Sequence, residues 1–301
     1  MENTHEAMFV CAALISYFQA IVLGLLQGFS ELFPISSLGH SVVIPGLLGW
    51  DIHQNDNFFL AFLVATHLAT ALVLLGFFWH DWVRIVRGIL RSLKLREIRP
   101  DDADARLGWL LVVGTIPAGI LGLLLEHPLR HLFASATSAA FFLMVNGFIL
   151  YGAEMLRRRA PGPDESLPDP DGRIARHLTW REGFGVGCSQ ALALVPGISR
   201  SGATMGGGLL SGLSNEDAAR FAFLLATPII GAAAVLKLPV LFGHDGDGVR
   251  GQALVASLCA ALTAYLSVRF LMRYFHTNTL TPFAYYCFAF GAASFIYFVA
   301  T

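Results

Sequence analysis

Two short stretches carry polar groups where the flanking sequence is apolar. QGFSELFPISSLGH (27–40) holds Gln27, Glu31, Ser36, Ser37 and His40, and LVPGISRSGAT (194–204) holds Ser199, Arg200, Ser201, Gly202 and Thr204. Pro34 suits the first turn of a helix and Ser36 or Ser37 suits its cap, so a helix start is predicted there. PGISRSG is predicted to behave likewise. A helix start offers free N–H groups and the positive end of the dipole, which together make an anion site with phosphate as the usual occupant. Arg200 adds a planar fork matched to phosphate oxygens. Ser36, Ser199 and Ser201 add hydroxyls, and Gly202 lets backbone approach a ligand closely. His40 has an ordinary pKa near neutrality and is the candidate proton carrier. Ser37 lies three residues before His40 on about the same helical face and is the candidate nucleophile. Glu31 could orient the histidine, balance Arg200, or hold a divalent metal together with Gln27 and phosphate oxygens.

Plainer roles compete with these. An intramembrane Arg–Glu pair neutralises itself, and a serine in an apolar helix often bonds back to its own backbone. His67, in FLVATHLAT, reads as a hydrogen-bonded packing histidine. Lys237, near a span end, is expected to extend its ammonium to the interface. His53, His127 and His177 fall in expected loops. Cys11, Cys188, Cys259 and Cys287 lie in or near apolar runs without C-x-x-C spacing, so they read as small buried hydrophobes.

The elements that must position the polar set follow from composition. The 301 residues are 55% hydrophobic and only 14% charged, against about 25% in an average soluble domain. Mean hydropathy is +0.62. An integral membrane protein is predicted. MENTHEAMF has no Lys or Arg, unlike the basic start of a secretory signal, so this segment is expected to remain in the mature chain. Six stretches are long and apolar enough to span: 58–79, 109–125, 139–156, 220–242, 252–270 and 281–300. Regions 8–49 and 183–212 are apolar but broken by Gly, Pro, Ser and charges.

Lys and Arg orient the spans. Residues 80–106 hold seven and residues 157–182 hold six, whereas 126–138 and 243–251 hold one each, Arg130 and Arg250. With the basic loops cytoplasmic, 183–212 must enter and leave on the inside, as a re-entrant hairpin. Region 8–49 becomes a hairpin entering from outside. LFPISSLGHS (32–41) also lines up with LVPGISRSGAT (194–204), and FLVATH (62–67) with FLLATP (223–228). The expected architecture is a single all-α membrane domain over 1–301, an inverted-topology repeat of 8–159 and 180–301 with six full transmembrane helices and two re-entrant helical hairpins. A Pro-rich cytoplasmic linker at 160–179 is expected to be mobile.

QGFSELFPISSLGH and PGISRSG resemble the two signature motifs of the bacterial undecaprenyl-pyrophosphate phosphatase family, the bacitracin-resistance type. The resemblance covers essentially the whole chain, including its size and order of spans. It implies removal of the terminal phosphate from a C55 isoprenoid diphosphate at the outer face of the inner membrane, with a divalent cation such as Mg or Ca as cofactor. It also implies phosphate binding by Arg200, nucleophilic attack by Ser37 and proton transfer by His40. Direct attack by water is the alternative. Two positions depart from the family pattern: Gln27 stands where Glu is common, and Leu38 where Thr is usual. The first removes a charge and leaves Glu31 as the better metal candidate. A polyprenyl-phosphate flippase is the competing reading, since inverted repeats with broken helices are common in transporters. A lipid substrate held in the bilayer is expected as the partner, with no nucleic acid; oligomeric state is left open.

Overall fold

The computed structural model describes residues 15–50, 52, 57–129, 135–159, 169–243 and 248–301. The N-terminal nonapeptide, Cys11, the first residues of the 8–49 hairpin, His53, Arg130 and residues 160–168 of the polar linker lie outside the described residues. Every regular element among the described residues is helical.

The first broken region folds as two helices, α1 (Tyr17–Leu32) and α2 (Ser37–Leu47). Ser16 and Gln19 form a reciprocal capping box that starts α1. Pro34 lies in the turn between the helices, where the chain cannot continue α1. At 1.5 Å per residue α2 is about 16 Å long, roughly half the thickness of the hydrocarbon core. α3 (Asn57–Phe77) then bends by 79° into α4 (Trp79–Leu95). α5 (Ala103–Leu129) and α6 (Ala136–Arg157) complete the first half.

The second half opens with α7 (Pro170–His177), followed by α8 (Trp180–Ser189), a 3-10 turn over Gln190–Leu194 and α9 (Arg200–Leu210). Thr179 and Glu182 cap α8 with the same box seen on α1. α10 (Asn215–Phe242), α11 (Arg250–Tyr274) and α12 (Thr281–Ala300) follow. Five helices, in α5, α6, α10, α11 and α12, are long and apolar enough to cross a membrane, and the bent α3–α4 pair makes a sixth candidate. The lipid-facing character is visible in exposed Leu123, Leu124, Phe148, Leu254, Leu258 and Ile296.

Small residues set the packing. α1 lies against α11 so closely that a Cβ on Gly28 would fall 2.1 Å from the Ala260 carbonyl oxygen, and one on Gly24 would fall 2.4 Å from that of Ala256. α8 lies on α5 in the same manner, with a Cβ at Gly187 placed 2.3 Å from the Gly114 carbonyl oxygen. In lipid, where apolar burial between helices brings little, such close backbone approach is what packing rests on.

The basic stretch 80–106 is mostly helix, and its charges are tied down. Arg91 makes a two-pronged contact with Asp102 at 2.6 and 2.7 Å, and that guanidinium holds the Asp102 carboxyl below the ordinary carboxylate range. Asp171 of α7 is fully buried and bonded to Arg84 at 2.6 Å and to Arg220 at 2.7 Å. Arg173 forks onto Asp217, and Arg106 donates to the carbonyls of Ala175 and Leu178. The end of the segment expected to be a mobile linker is therefore a docked helix, because a buried carboxylate needs those two guanidinium groups and they fix its place.

Candidate active site

Ser36 caps α2, accepting the Gly39 N–H on its side chain at 3.2 Å. Its backbone has φ 72°, a left-handed conformation rare outside glycine. The Ser36 carbonyl oxygen accepts from the His40 backbone N–H at 3.2 Å and from His40 Nδ1 at 2.8 Å. Ser199 caps α9 in the matching way, accepting the Gly202 N–H at 3.2 Å. Its turn uses Gly197, at φ 101°, where a Cβ would fall 2.4 Å from the Ala139 carbonyl oxygen. In each case the cap takes the third N–H of the first turn, and the two before it lie beyond the reach of any carbonyl of their own helix.

The two helix starts meet. A Cβ on Gly39 would lie 3.1 Å from Gly197 Cα, and one on Gly202 would lie 3.3 Å from Pro34 Cβ. Ser199 Oγ lies 3.0 Å from Ser201 Oγ, and the Ser201 hydroxyl donates to the Phe33 carbonyl at 3.0 Å. Asn146, fully buried on α6, clasps both loops. Its Nδ2 donates to the Pro34 carbonyl at 2.9 Å and its Oδ1 accepts the Ser199 N–H at 3.0 Å. The sequence reading passed over Asn146; its signal is a lone amide in the apolar run FFLMVNGFIL.

Glu31, near the end of α1, is the hub. Its Oε1 accepts from Arg200 Nη2 at 2.9 Å. Its Oε2 accepts from the Ser37 hydroxyl at 2.5 Å and from Gln27 Nε2 at 3.2 Å. His67 Nε2 stands 3.5 Å from the same oxygen, which brings into the site a histidine read from sequence as packing. The three alternatives for Glu31 resolve in part: it orients Ser37 and balances Arg200, and it does not touch His40.

His40 points elsewhere. Its Nδ1 donates to the Ser36 carbonyl, which leaves Nε2 to accept from the Tyr286 hydroxyl at 2.8 Å. The ring stacks on Tyr286 and Phe290 with centroids 5.7 and 5.0 Å away. Sharing a helical face with Ser37 is not enough to meet its hydroxyl when both ring nitrogens are committed. Tyr286 also went unrecognised, because it lies in a segment whose aromatic content reads as lipid-facing.

A cavity of about 110 Å³ opens between the loops, lined by Glu31, Ser36, Ser37, Leu38, Ala193, Ile198, Ser199 and Arg200. Arg200 Nη1 is buried with no hydrogen-bond partner. An unpaired buried guanidinium nitrogen beside two helix starts is a donor set awaiting an anion.

A divalent cation, implied by the resemblance, would find donors here. Among the described residues no three His, Cys, Asp or Glu side chains converge as a metal cluster. Glu31 offers one carboxylate, and Gln27, 1% exposed, carries an Oε1 with no partner. Gln27 turns its Nε2 toward Glu31 at 3.2 Å, so a half-turn of the amide is what would set both oxygens side by side for a hard cation that takes its remaining ligands from phosphate and water.

A family model described as "Bacitracin resistance protein BacA" matches residues 20–293. "Undecaprenyl-diphosphatase" of Mycolicibacterium paratuberculosis is 51% identical over 300 residues, covering 94% of this chain and 97% of its own length. "Undecaprenyl-diphosphatase 2" of Frankia alni is 47% identical, with 92% and 96% covered. "Undecaprenyl-diphosphatase" of Granulibacter bethesdensis is also 47% identical, with 93% and 97% covered. With nearly full-length identity of this order and a family model spanning both polar loops, the chain belongs to the bacitracin resistance protein BacA family.

Proposed function

We propose that the protein hydrolyses undecaprenyl diphosphate to undecaprenyl phosphate and inorganic phosphate within the membrane. The observation that carries this reading is the buried, unpaired Arg200 Nη1, set in a cavity with the Ser37–Glu31 pair between two helix starts. The relatives' printed names supply the substrate. The isoprenoid chain would stay in the apolar surroundings while only the head group enters the cavity.

Arg200 and the N–H groups at the starts of α2 and α9 bind the terminal phosphoryl oxygens and stabilise the charge that spreads over them in the transition state. Ser37 Oγ attacks the terminal phosphorus as its proton passes to Glu31 Oε2. The bond from that phosphorus to the bridging oxygen breaks, and undecaprenyl phosphate leaves with the electron pair. Water then attacks the phosphoserine phosphorus, the Oγ–P bond breaks with its electron pair on Ser37 Oγ, Glu31 returns its proton to Oγ, and the water's proton leaves with the inorganic phosphate. His40 acts by position: with Tyr286 it holds the Ser36 carbonyl, and so the left-handed turn that aims Ser37 at the cavity. A divalent cation held by Glu31 and Gln27 would neutralise charge on the diphosphate.

The membrane arrangement belongs to the same proposal. Paired capping boxes on α1 and α8, two short helices α2 and α9, and reciprocal glycine contacts of α1 with α11 and α8 with α5 support an inverted repeat with two re-entrant hairpins. The basic ends of α4, α6 and α7 support a cytoplasmic side there and a cavity open to the periplasm in the inner membrane.

Purified protein given undecaprenyl diphosphate and Mg²⁺ in detergent should release inorganic phosphate, and Ser37→Ala and Arg200→Ala should each lose most of that release. Release unaffected by both substitutions contradicts the assignment. In sealed vesicles, movement of the polyprenyl phosphate without phosphate release would favour the flippase reading instead.

A further inference from the structure

The environment of His67 carries a feature that hydrolysis by Ser37, Glu31 and Arg200 does not use. His67 Nδ1 lies 2.8 Å from the Leu63 carbonyl oxygen, which can only accept. In the neutral tautomer that this bond selects, Nδ1 bears the proton and Nε2 the lone pair. That lone pair faces Glu31 Oε2 at 3.5 Å, beyond hydrogen-bond length. A cation seated in this gap would be held from both sides, by the imidazole lone pair and by the carboxylate that also pairs with Arg200. With ligand bonds of about 2.1 Å on each side, a 3.5 Å separation corresponds to an angle at the ion of about 110°, close to tetrahedral.

A second observation points to the same place. Gln27 Oε1 is buried and unpartnered, while the Nε2 of that amide lies 3.2 Å from Glu31 Oε2. A half-turn of the amide exchanges the two atoms and brings a carbonyl oxygen beside the carboxylate. The bond from Nδ1 to a backbone carbonyl is also the usual way a protein fixes the tautomer of a ligating histidine.

We propose that His67 Nε2 is a third protein ligand of the divalent cation, completing an oxygen–oxygen–nitrogen set with Glu31 and Gln27. Imidazole shifts preference away from Mg²⁺ and Ca²⁺, which favour oxygen alone, toward Mn²⁺, Co²⁺ or Zn²⁺. In this chain the imidazole supplies a further donor atom at a site where Gln27 stands in place of a second carboxylate. The inference rests on the cation site proposed above and adds its third ligand and its metal preference.

Tag-free protein in detergent, loaded with Mn²⁺ with and without a non-hydrolysable diphosphonate, tests it by pulsed EPR. Coupling of Mn²⁺ to an imidazole nitrogen is expected in the wild type and in His40→Gln. It should vanish in His67→Gln, with Mn²⁺ binding weakened at least about tenfold. His67→Asn, of different size, should lose it too, and a wild-type spectrum without nitrogen coupling overturns the proposal even if both His67 variants fail to fold. Bound Mn²⁺ without nitrogen coupling overturns the role of His67 and leaves a Glu31–Gln27 site standing. Persistence of the coupling in a folded His67→Gln variant overturns it as well. No stoichiometric Mn²⁺ overturns the cation site with it, while phosphate release from the same preparation reports separately on hydrolysis.

Discussion

The Ser36 backbone is held at φ 72°, a conformation that costs on the order of 1–3 kcal/mol for a residue other than glycine. Three hydrogen bonds hold it: Gly39 N–H to its hydroxyl, and the His40 backbone and ring to its carbonyl. The strain lies one residue before Ser37, so the turn that stores it also aims the hydroxyl at Glu31. Tyr286→Phe removes the hydroxyl that anchors His40 from the far side. It should lower kcat about tenfold while leaving KM and thermal unfolding nearly unchanged, since the aromatic stack remains. Arg200→Lys keeps the charge but not the fork that binds Glu31 with one nitrogen and leaves another for the phosphoryl group of the proposed substrate. A fall of roughly 10²–10³ in phosphate release is expected, as for loss of an oxyanion donor. Glu31, Ser37 and Arg200 were legible from sequence because polar groups in apolar runs need a reason. Asn146, His67 and Tyr286 were not, because their roles arise from contacts with residues far away in the chain. Tyr286, for instance, lies 246 positions from the histidine it bonds.

The helices were the easiest elements to read, since hydropathy alone placed the apolar stretches with ends no more than six residues from those of α3, α5, α6, α10, α11 and α12. The harder elements were the polar ones. α7 looks like linker by composition, and it is ordered because Asp171 is enclosed by Arg84 and Arg220. Asp171→Ala should destabilise the protein in detergent by about 2–3 kcal/mol, read as a drop in Tm. This is below the roughly 3–5 kcal/mol typical of breaking a buried pair, because Arg220 keeps Asp81 at 3.0 Å and Arg84 is partly exposed. Phosphate release by the folded fraction should persist, since α7 does not line the cavity. The glycine faces give a sharper outcome. Gly28→Leu would push α1 off α11, where a Cβ already falls 2.1 Å from the Ala260 carbonyl. Loss of both folding and activity is expected, whereas Gly76→Leu, at a position with open space around it, should be tolerated.

At the scale of the whole molecule, two polar loops from distant parts of the chain meet around one cavity. Neither loop is satisfied alone: Arg200 needs Glu31, Ser201 needs the Phe33 carbonyl, and Asn146 ties Pro34 to Ser199. The pairing of the loops could be argued from sequence because unpaired backbone in lipid is costly and each loop needed cover. The identity of the clasp could not. The convergence can be read directly by cross-linking. In a chain whose four native cysteines are replaced by alanine, Pro34→Cys and Gly202→Cys would place two Cβ atoms about 3.3 Å apart, close to disulfide geometry. A protease site inserted among residues 160–168 then separates the halves. After oxidation and cleavage, a single band on a non-reducing gel that splits into two on reduction is the result expected. Two separate fragments before reduction, from folded protein, would contradict a shared site.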